Sequence, residues 1–427
     1  MSHDAFKYHN SDHYPTLTGE IKPSKKGEKY AVKFDIASDP IDSLYQFSKA
    51  YHKAADIIVK RMLSSHQIDE LDEYFFPVFF LYRHSIELML KSIGFIIIPI
   101  KTDRISFLRD TFHNLSEIYK YISEKNRITR PLEEHQWLTD YFNNISSFDK
   151  ASDSFRYPFH IDVNYIWGHP EYSINRVFQS QTHIDLICEV NKMGAAFEIL
   201  EMWFLDFKEP TNEHVAQEYI ACNTSFLDEG GSYYEQSVVG YESRSEFYAY
   251  CSGYQECANY LKQYLIEEFD QENFSGLSHM FYPMCYLYRN DVELLLKTIL
   301  FKCSSLRIDE VCKVVHSNKH KIVKLFEYIE QEVLPIYELD AQDDFIKNAK
   351  RYCNILHNFD LDSSKFRYPI NKLCEPYMRL IRYYDFVELG TFLESLCNAI
   401  DGIHNEAEYR KDILAEIAAE YANYMND

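Results

Sequence analysis

The stretch Arg351-Tyr-Cys-Asn354-Ile-Leu-His357 combines residue types and a spacing that could do chemistry. A histidine titrating near neutrality can take up and return a proton, and a guanidinium beside it can stabilise charge on a phosphate. On a helix Arg351, Asn354 and His357 fall at i, i+3 and i+6, a connected stripe about 120° wide. The plainer reading, polar residues at a helix end, stands beside it. With 17 histidines in the chain, such spacings also recur elsewhere. Arg130-Pro-Leu-Glu-Glu-His135 has the spacing inside a charged, proline-containing connector, and Arg156-Tyr-Pro-Phe-His160 is one residue short. No Gly-x-x-x-x-Gly-Lys-Ser/Thr, Gly-x-Gly-x-x-Gly, Gly-x-Ser-x-Gly or His-Glu-x-x-His motif occurs, which argues against the chemistries those motifs carry. His3, Asp4, His9, Asp12 and His13 are metal-ligand types, but chain termini are commonly poorly ordered. Neither a metal nor a cofactor is expected.

A second set of charged residues occurs twice. Arg83, Glu87 and Lys91 are spaced by four, as are Arg289, Glu293 and Lys297. That spacing stacks side chains on one helix face and reads as an ion-pair ladder. Its recurrence inside very apolar segments implies partial burial, where removing one charge strands another. The alternative for Arg83 and Arg289 is binding of a phosphate or carboxylate. Arg156 and Arg367 lie in two Phe-Arg-Tyr-Pro segments that follow polar loops; proline after tyrosine enforces an extended approach. Both arginines are expected to reach Glu87 and Glu293 and clamp the loops, or else to bind a ligand. His113 and His320 precede amphipathic helices and read as helix-start residues.

These pairs belong to a longer correspondence. Phe76 to Phe95 aligns with Tyr282 to Phe301 at a shift of 206, and His113 to Ile122 with His320 to Ile329 at 207. Phe155-Arg-Tyr-Pro158 aligns with Phe366-Arg-Tyr-Pro369 at 211, and Phe47 to Ala55 with Tyr250 to Ala258 at 203. Four collinear matches with slowly growing offsets read as an internal duplication with small loop insertions.

The elements that must position these residues are mainly helical. Glycine, 12 of 427 residues, is scarce against a usual share of roughly 7%, and apolar residues recur at three and four, as at Ile86, Met89, Leu90 and Ile93. Each half is expected to open with a short β-hairpin: Leu17 to Ile21 with Lys29 to Ile36, and Tyr219 to Phe226 with Ser232 to Val239. The linker falls near Phe207 to His214, where the periodicity lapses. A last helix, Glu406 to Tyr424, carries Ile413, Leu414, Ile417, Ala418 and Tyr421 on one stripe, expected to pack on the bundle or on a partner subunit. Abundant aromatics, 35 Tyr and 30 Phe, exclude a mostly disordered chain. No apolar run approaches the roughly 20 residues of a membrane span. The N-terminus lacks an export-signal pattern, and the 10 cysteines read as reduced thiols, so a cytosolic protein with no membrane partner is expected. The net charge of −22 argues against a broad nucleic-acid-binding face.

The Arg-x3-Glu-x2-Leu-Lys helix, the His-x-Leu or His-x-Ile helix start and the Arg-Tyr loop together resemble the HEPN superfamily. These are all-helical domains of bacterial toxins, antiphage proteins and CRISPR-associated ribonucleases. The resemblance covers residues 42 to 205 and 245 to 405 and implies a covalent pseudo-dimer of a domain that characteristically pairs through its active face. HEPN ribonucleases carry an Arg, four to six residues, then His, which would assign cleavage through the ribose 2′-hydroxyl to Arg351, Asn354 and His357. Tyr352 departs from the small polar residue usual after the Arg, and the first half reads Asp140, Asn143 and Ser146 at the matching positions.

The expectation is therefore a mainly α protein of two homologous helical-bundle repeats in tandem, residues 1–206 and 207–427. Its function would be that of a catalytically silent HEPN-like binding or scaffold protein of a bacterial antiphage-defence or toxin–antitoxin type system. A protein partner or small ligand would occupy the inter-repeat cleft, with homo-oligomerisation left open. The alternative is a metal-independent HEPN ribonuclease acting on RNA at Arg351, Asn354 and His357. Arg83, Arg156, Arg289 and Arg367 are the binding candidates. Glu87, Lys91, Glu293 and Lys297 are the structural ion-pair residues.

Overall fold

The structure, a computed structural model, describes residues 15–34, 39–125, 132–166, 168–178, 183–209, 223–235, 237–240, 247–273, 279–378 and 380–426. The N-terminal His/Asp cluster, most of the expected linker and Arg130 lie outside them. Within these residues the chain is mainly α, with twelve helices and small antiparallel sheets.

Two helices form the centre because they are apolar on all sides, and such a helix is stable only when surrounded. Helix α2 (Ile68–Ile97) is buried at every residue from Tyr74 to Phe95, and α8 (Phe281–Cys303) from Phe281 to Leu300. Around α2 pack α1 (Pro40–Ser65), α4 (Leu115–Lys125) and α6 (Leu186–Lys208). Around α8 pack α7 (Phe247–Asp270), α10 (Ile322–Glu332) and α12 (Phe386–Asn426). The halves join where α2 meets α7 and α1 meets α8. Helices α3 (Lys101–Thr111), α5 (Leu132–Phe148), α9 (Ile308–Asn318) and α11 (Asp344–Phe359) complete the two bundles. Aspartates start several of them by accepting orphan backbone N–H groups: Asp39 at α1, Asp185 at α6 and Asp385 at α12.

The strands do not form the expected hairpins. Strands β1 (Pro23–Ser24) and β2 (Ala31–Phe34) do not pair with each other; both pair with β7 (Arg382–Asp385), which lies between them. In the same crossed sense β6 (Val238–Gly240), ahead of α7, pairs with β5 (His183–Asp185), ahead of α6. Residues 223–235 of the second expected hairpin form no strand. Alternation identifies a strand with one buried face but does not name its partner. Here Phe34 settles against Phe281 and Tyr384, with ring centroids 4.5 and 4.7 Å away, and this burial sets the pairing. Among the described residues a hairpin forms instead between β3 (Phe159–Ile166) and β4 (His169–Arg176); β3 alternates apolar and polar residues, the usual strand signal, while β4 is mostly polar. The expected last helix is the end of α12, and Leu414 and Tyr421 on its stripe are exposed.

The α2–α7 contact depends on two residues with unusual backbones. Pro77 lies inside α2 and offers no N–H to the carbonyl of Glu73. Against that carbonyl sits Gly253 of α7, where a side-chain carbon would collide with backbone. Gly253→Ala is expected to destabilise the protein by about 1–3 kcal/mol in urea denaturation. An unchanged midpoint would show that the helices separate freely there.

Candidate functional site

The charged residues of α2 form a buried network. Glu87 is fully buried and contacts Arg83 Nη1 at 3.1 Å and Lys91 Nζ at 2.6 Å. Arg83, also fully buried, pairs through Nε with Asp149 at 2.7 Å and donates from Nη2 to the carbonyls of His113 (2.6 Å) and Asp149 (3.0 Å). His113 places Nδ1 2.9 Å from Glu87 Oε1. On α8 the same contacts recur: Arg289 Nη1 with Glu293 at 3.4 Å, Lys297 Nζ with Glu293 at 2.7 Å, and His320 Nδ1 with Glu293 Oε2 at 3.0 Å. Burial alone would keep each glutamate protonated. The donors around them outweigh it, Lys91 and the His113 N–H for Glu87 and the His320 N–H and Lys297 for Glu293, and hold both carboxyls well below the usual range.

Each glutamate receives one further hydrogen bond, and it comes from the other half. Tyr368 donates its hydroxyl to Glu87 at 2.8 Å, and Tyr157 donates to Glu293 at 2.6 Å. The Phe-Arg-Tyr-Pro segments are thus exchanged. Tyr51 of α1 donates to the Phe366 carbonyl and Tyr254 of α7 to that of Phe155. The loops leading into these segments are built alike, with Asp149 accepting from Asp153 and Ser154 N–H groups and Asp360 from those of Ser364 and Lys365. The expectation that Arg156 and Arg367 reach Glu87 and Glu293 is corrected here. The neighbouring tyrosines make that contact, since a hydroxyl can donate to a carboxylate already held by a lysine and a histidine.

Arg156 and Arg367 have a different environment. They are 4% and 5% exposed, and among the described residues neither has a carboxylate in ion-pair contact. Arg156 donates to Asn290 Oδ1 (3.3 Å) and Tyr157 Oη (2.9 Å), and Arg367 to the Ser363 carbonyl (2.6 Å). Both guanidiniums lie over the ring of Tyr286, at 6.0 and 5.7 Å from its centroid. Two like charges are thereby buried near one another with no carboxylate in direct contact, Glu293 standing behind the Tyr157 hydroxyl that Arg156 touches; burying an ion without a direct partner costs several kcal/mol.

Beside them lie two adjoining pockets, two lobes that have His113, Lys319, His320 and Arg367 in common on their linings. The first, about 400 Å³, is lined by Arg156, Lys297, Lys319 and Arg367, with Asp153 as its one acid. The second, about 350 Å³, is lined by Lys91, Lys319, Arg367 and Lys372, with Asp362 as its one acid. His113 and His320 line both lobes. Burial keeps these rings neutral against the pull of their glutamates: His113 is lowered and His320 is pushed down to about 4. With Nδ1–H held by a carboxylate, each Nε2 is left as a hydrogen-bond acceptor. In a chain of net charge −22, this cavity is cationic, and it can hold anionic oxygens while accepting hydrogen bonds from hydroxyls beside them.

The sequence candidates therefore separate. Arg156 and Arg367 line the cavity, as do Lys91 and Lys297, which are structural as well. Arg83 and Arg289 are enclosed and line neither lobe. Arg351 is exposed on another groove, against residues 17–22 and α12. Asn354 donates to the Lys350 carbonyl of its own helix at 2.9 Å, and His357, half-buried, lines neither lobe nor that groove. Sequence reasoning missed Lys319 and Lys372. Lys319 could have been found from its place beside the recurring His320. Among the described residues two groupings also have metal-compatible spacing, Cys303 with His404 and Glu408, and Cys188 with the carboxylates of Glu189 and Asp228. In both, lysines pair with the carboxylates, Lys411 with Glu408 and Lys192 with Glu189 and Asp228. No helix among the described residues is long and apolar enough to cross a membrane. No protein-family model, curated protein or solved structure matches the chain.

Proposed function

We propose that this chain is a cytosolic, tandem HEPN-like binding protein, catalytically silent, of a bacterial antiphage-defence or toxin–antitoxin type system, and that its central cavity takes a small phosphate-bearing ligand. The ligand assignment is carried by one observation: Arg156 and Arg367 are buried without a carboxylate partner on the wall of a cationic cavity between the halves. An anion there would supply the missing counter-charge. The HEPN-like and defence parts rest on the sequence motifs and the doubled set of contacts. The ribonuclease alternative is less favoured because Arg351 and His357 share none of the described cavities.

Isothermal titration with inorganic pyrophosphate tests the binding reading. Lys319 and Lys372 line the cavity and are exposed, so reversing them spares the core. The Lys319→Glu, Lys372→Glu double variant is expected to bind at least about tenfold more weakly, a loss of roughly 1.4 kcal/mol. Equal affinity would remove the cavity from consideration. Incubated with total RNA, the wild type is expected to leave it intact. Cleavage that disappears in His357→Ala would establish the ribonuclease instead.

A further inference from the structure

We infer that the ligand is a dinucleotide, with its two phosphates at the shared middle of the cavity and one nucleoside in each lobe. This rests on the phosphate-binding reading above and goes beyond it in three observations.

The first is the doubling of the site. Each half contributes one glutamate–lysine–histidine group and lends its tyrosine to the other. Such a site presents two near-equivalent sets of donors, which a ligand with two equivalent anionic groups satisfies together. The second is the division of charge. Of the four residues common to both lobes, Lys319 and Arg367 are cationic, His113 and His320 are neutral and none is acidic, whereas the cations that line one lobe alone share it with an acid, Asp153 or Asp362. The third is the character of the outer walls. Phe159, Phe247 and Phe301 line the first lobe. Leu44, Leu108 and Phe112 line the second. Aromatic and apolar walls accept base faces, and each lobe falls in the size range of small-molecule sites. The neutral Nε2 atoms of His113 and His320 would accept hydrogen bonds from ribose hydroxyls adjoining the phosphates.

Titrating the full-length protein with adenosine monophosphate, the linear dinucleotide pApA, cyclic di-adenosine monophosphate and a longer single-stranded RNA tests this. The monophosphate is expected to bind weakly at two sites per chain. Whichever dinucleotide fits, linear or cyclic, should bind at one per chain and roughly 100-fold more tightly, because joining the halves makes the second contact intramolecular. Phe112→Ser, at an exposed position, should weaken the dinucleotide by a clearly larger factor than it weakens pyrophosphate. Phe301→Ser should do the same for the other lobe, with thermal melting confirming its fold. Dinucleotides no tighter than the monophosphate, a longer RNA competing equally well, or a silent Phe112→Ser would each overturn the inference while pyrophosphate binding stands. Failure of pyrophosphate to bind would overturn the underlying reading as well.

Discussion

Replacing Arg83 with methionine is expected to lower the unfolding free energy by about 3–5 kcal/mol, the range for breaking a buried ion pair from one side. The side chain is wholly enclosed and serves two carboxylates, Glu87 and Asp149, and two carbonyls. Methionine fills the volume but donates nothing. Asp149 would lose its ion-pair partner, and the His113 carbonyl, part of the turn that sets the histidine against Glu87, would lose its 2.6 Å donor. Arg289→Met is expected to cost less, because among the described residues Arg289 has a single ion pair, with Glu293 at 3.4 Å, and one hydrogen bond, to the His320 carbonyl. Urea midpoints of the two variants check the order. Equal and small losses would mean that the ladder is held by packing rather than by charge.

Acid is expected to destabilise the protein in two successive windows. In the unfolded chain His320 takes up a proton below about pH 6.5; in the folded protein it does so only near 4. Between those values the unfolded state binds more protons, so stability falls as pH falls. For a ring 29% exposed this amounts to roughly 2–3 kcal/mol, and His113 acts in the same direction. Glu87 and Glu293 then contribute below the unfolded carboxylate value of about 4.3. Their stabilisation is complete above it and is lost as pH falls through their depressed folded values. Asp291 opposes this trend, because burial raises its carboxyl well above the usual range. Urea titrations at pH 7, 5.5 and 4.5 on wild type and His320→Asn isolate the histidine. The variant should lose markedly less stability across the upper window, and an equally steep loss would sink the assignment.

The same network links stability to the cavity. Lys91 and Lys297 hold the glutamates from one side and line the lobes on the other, so their charge cannot be changed for binding without cost to the fold. Lys319 and Lys372 carry no such double duty, which makes them the informative positions for mutation.

The sequence alone determined the helical character and the two ladders, and it carries the recurring strings. These are local matters: apolar spacing, charges four apart and recurring strings survive in one dimension because a helix turn brings i and i+4 together whatever surrounds it. The hairpin pairing, the partner of each tyrosine and the surroundings of each arginine were decided by tertiary structure. Val32 and Phe34 mark a strand, yet its neighbour, β7, comes from roughly 350 residues away, chosen by which apolar face was there to be covered. Arg83 and Arg156 are both arginines in repeated motifs. The first is neutralised by residues four positions along its helix and by a loop that folds back on it. The second is carried by its loop to the edge of a cavity where no carboxylate is in ion-pair contact with it. Burial and counter-charge depend on chain segments remote in sequence, and for that reason only the folded molecule separates the enclosed arginines from those left facing the cavity.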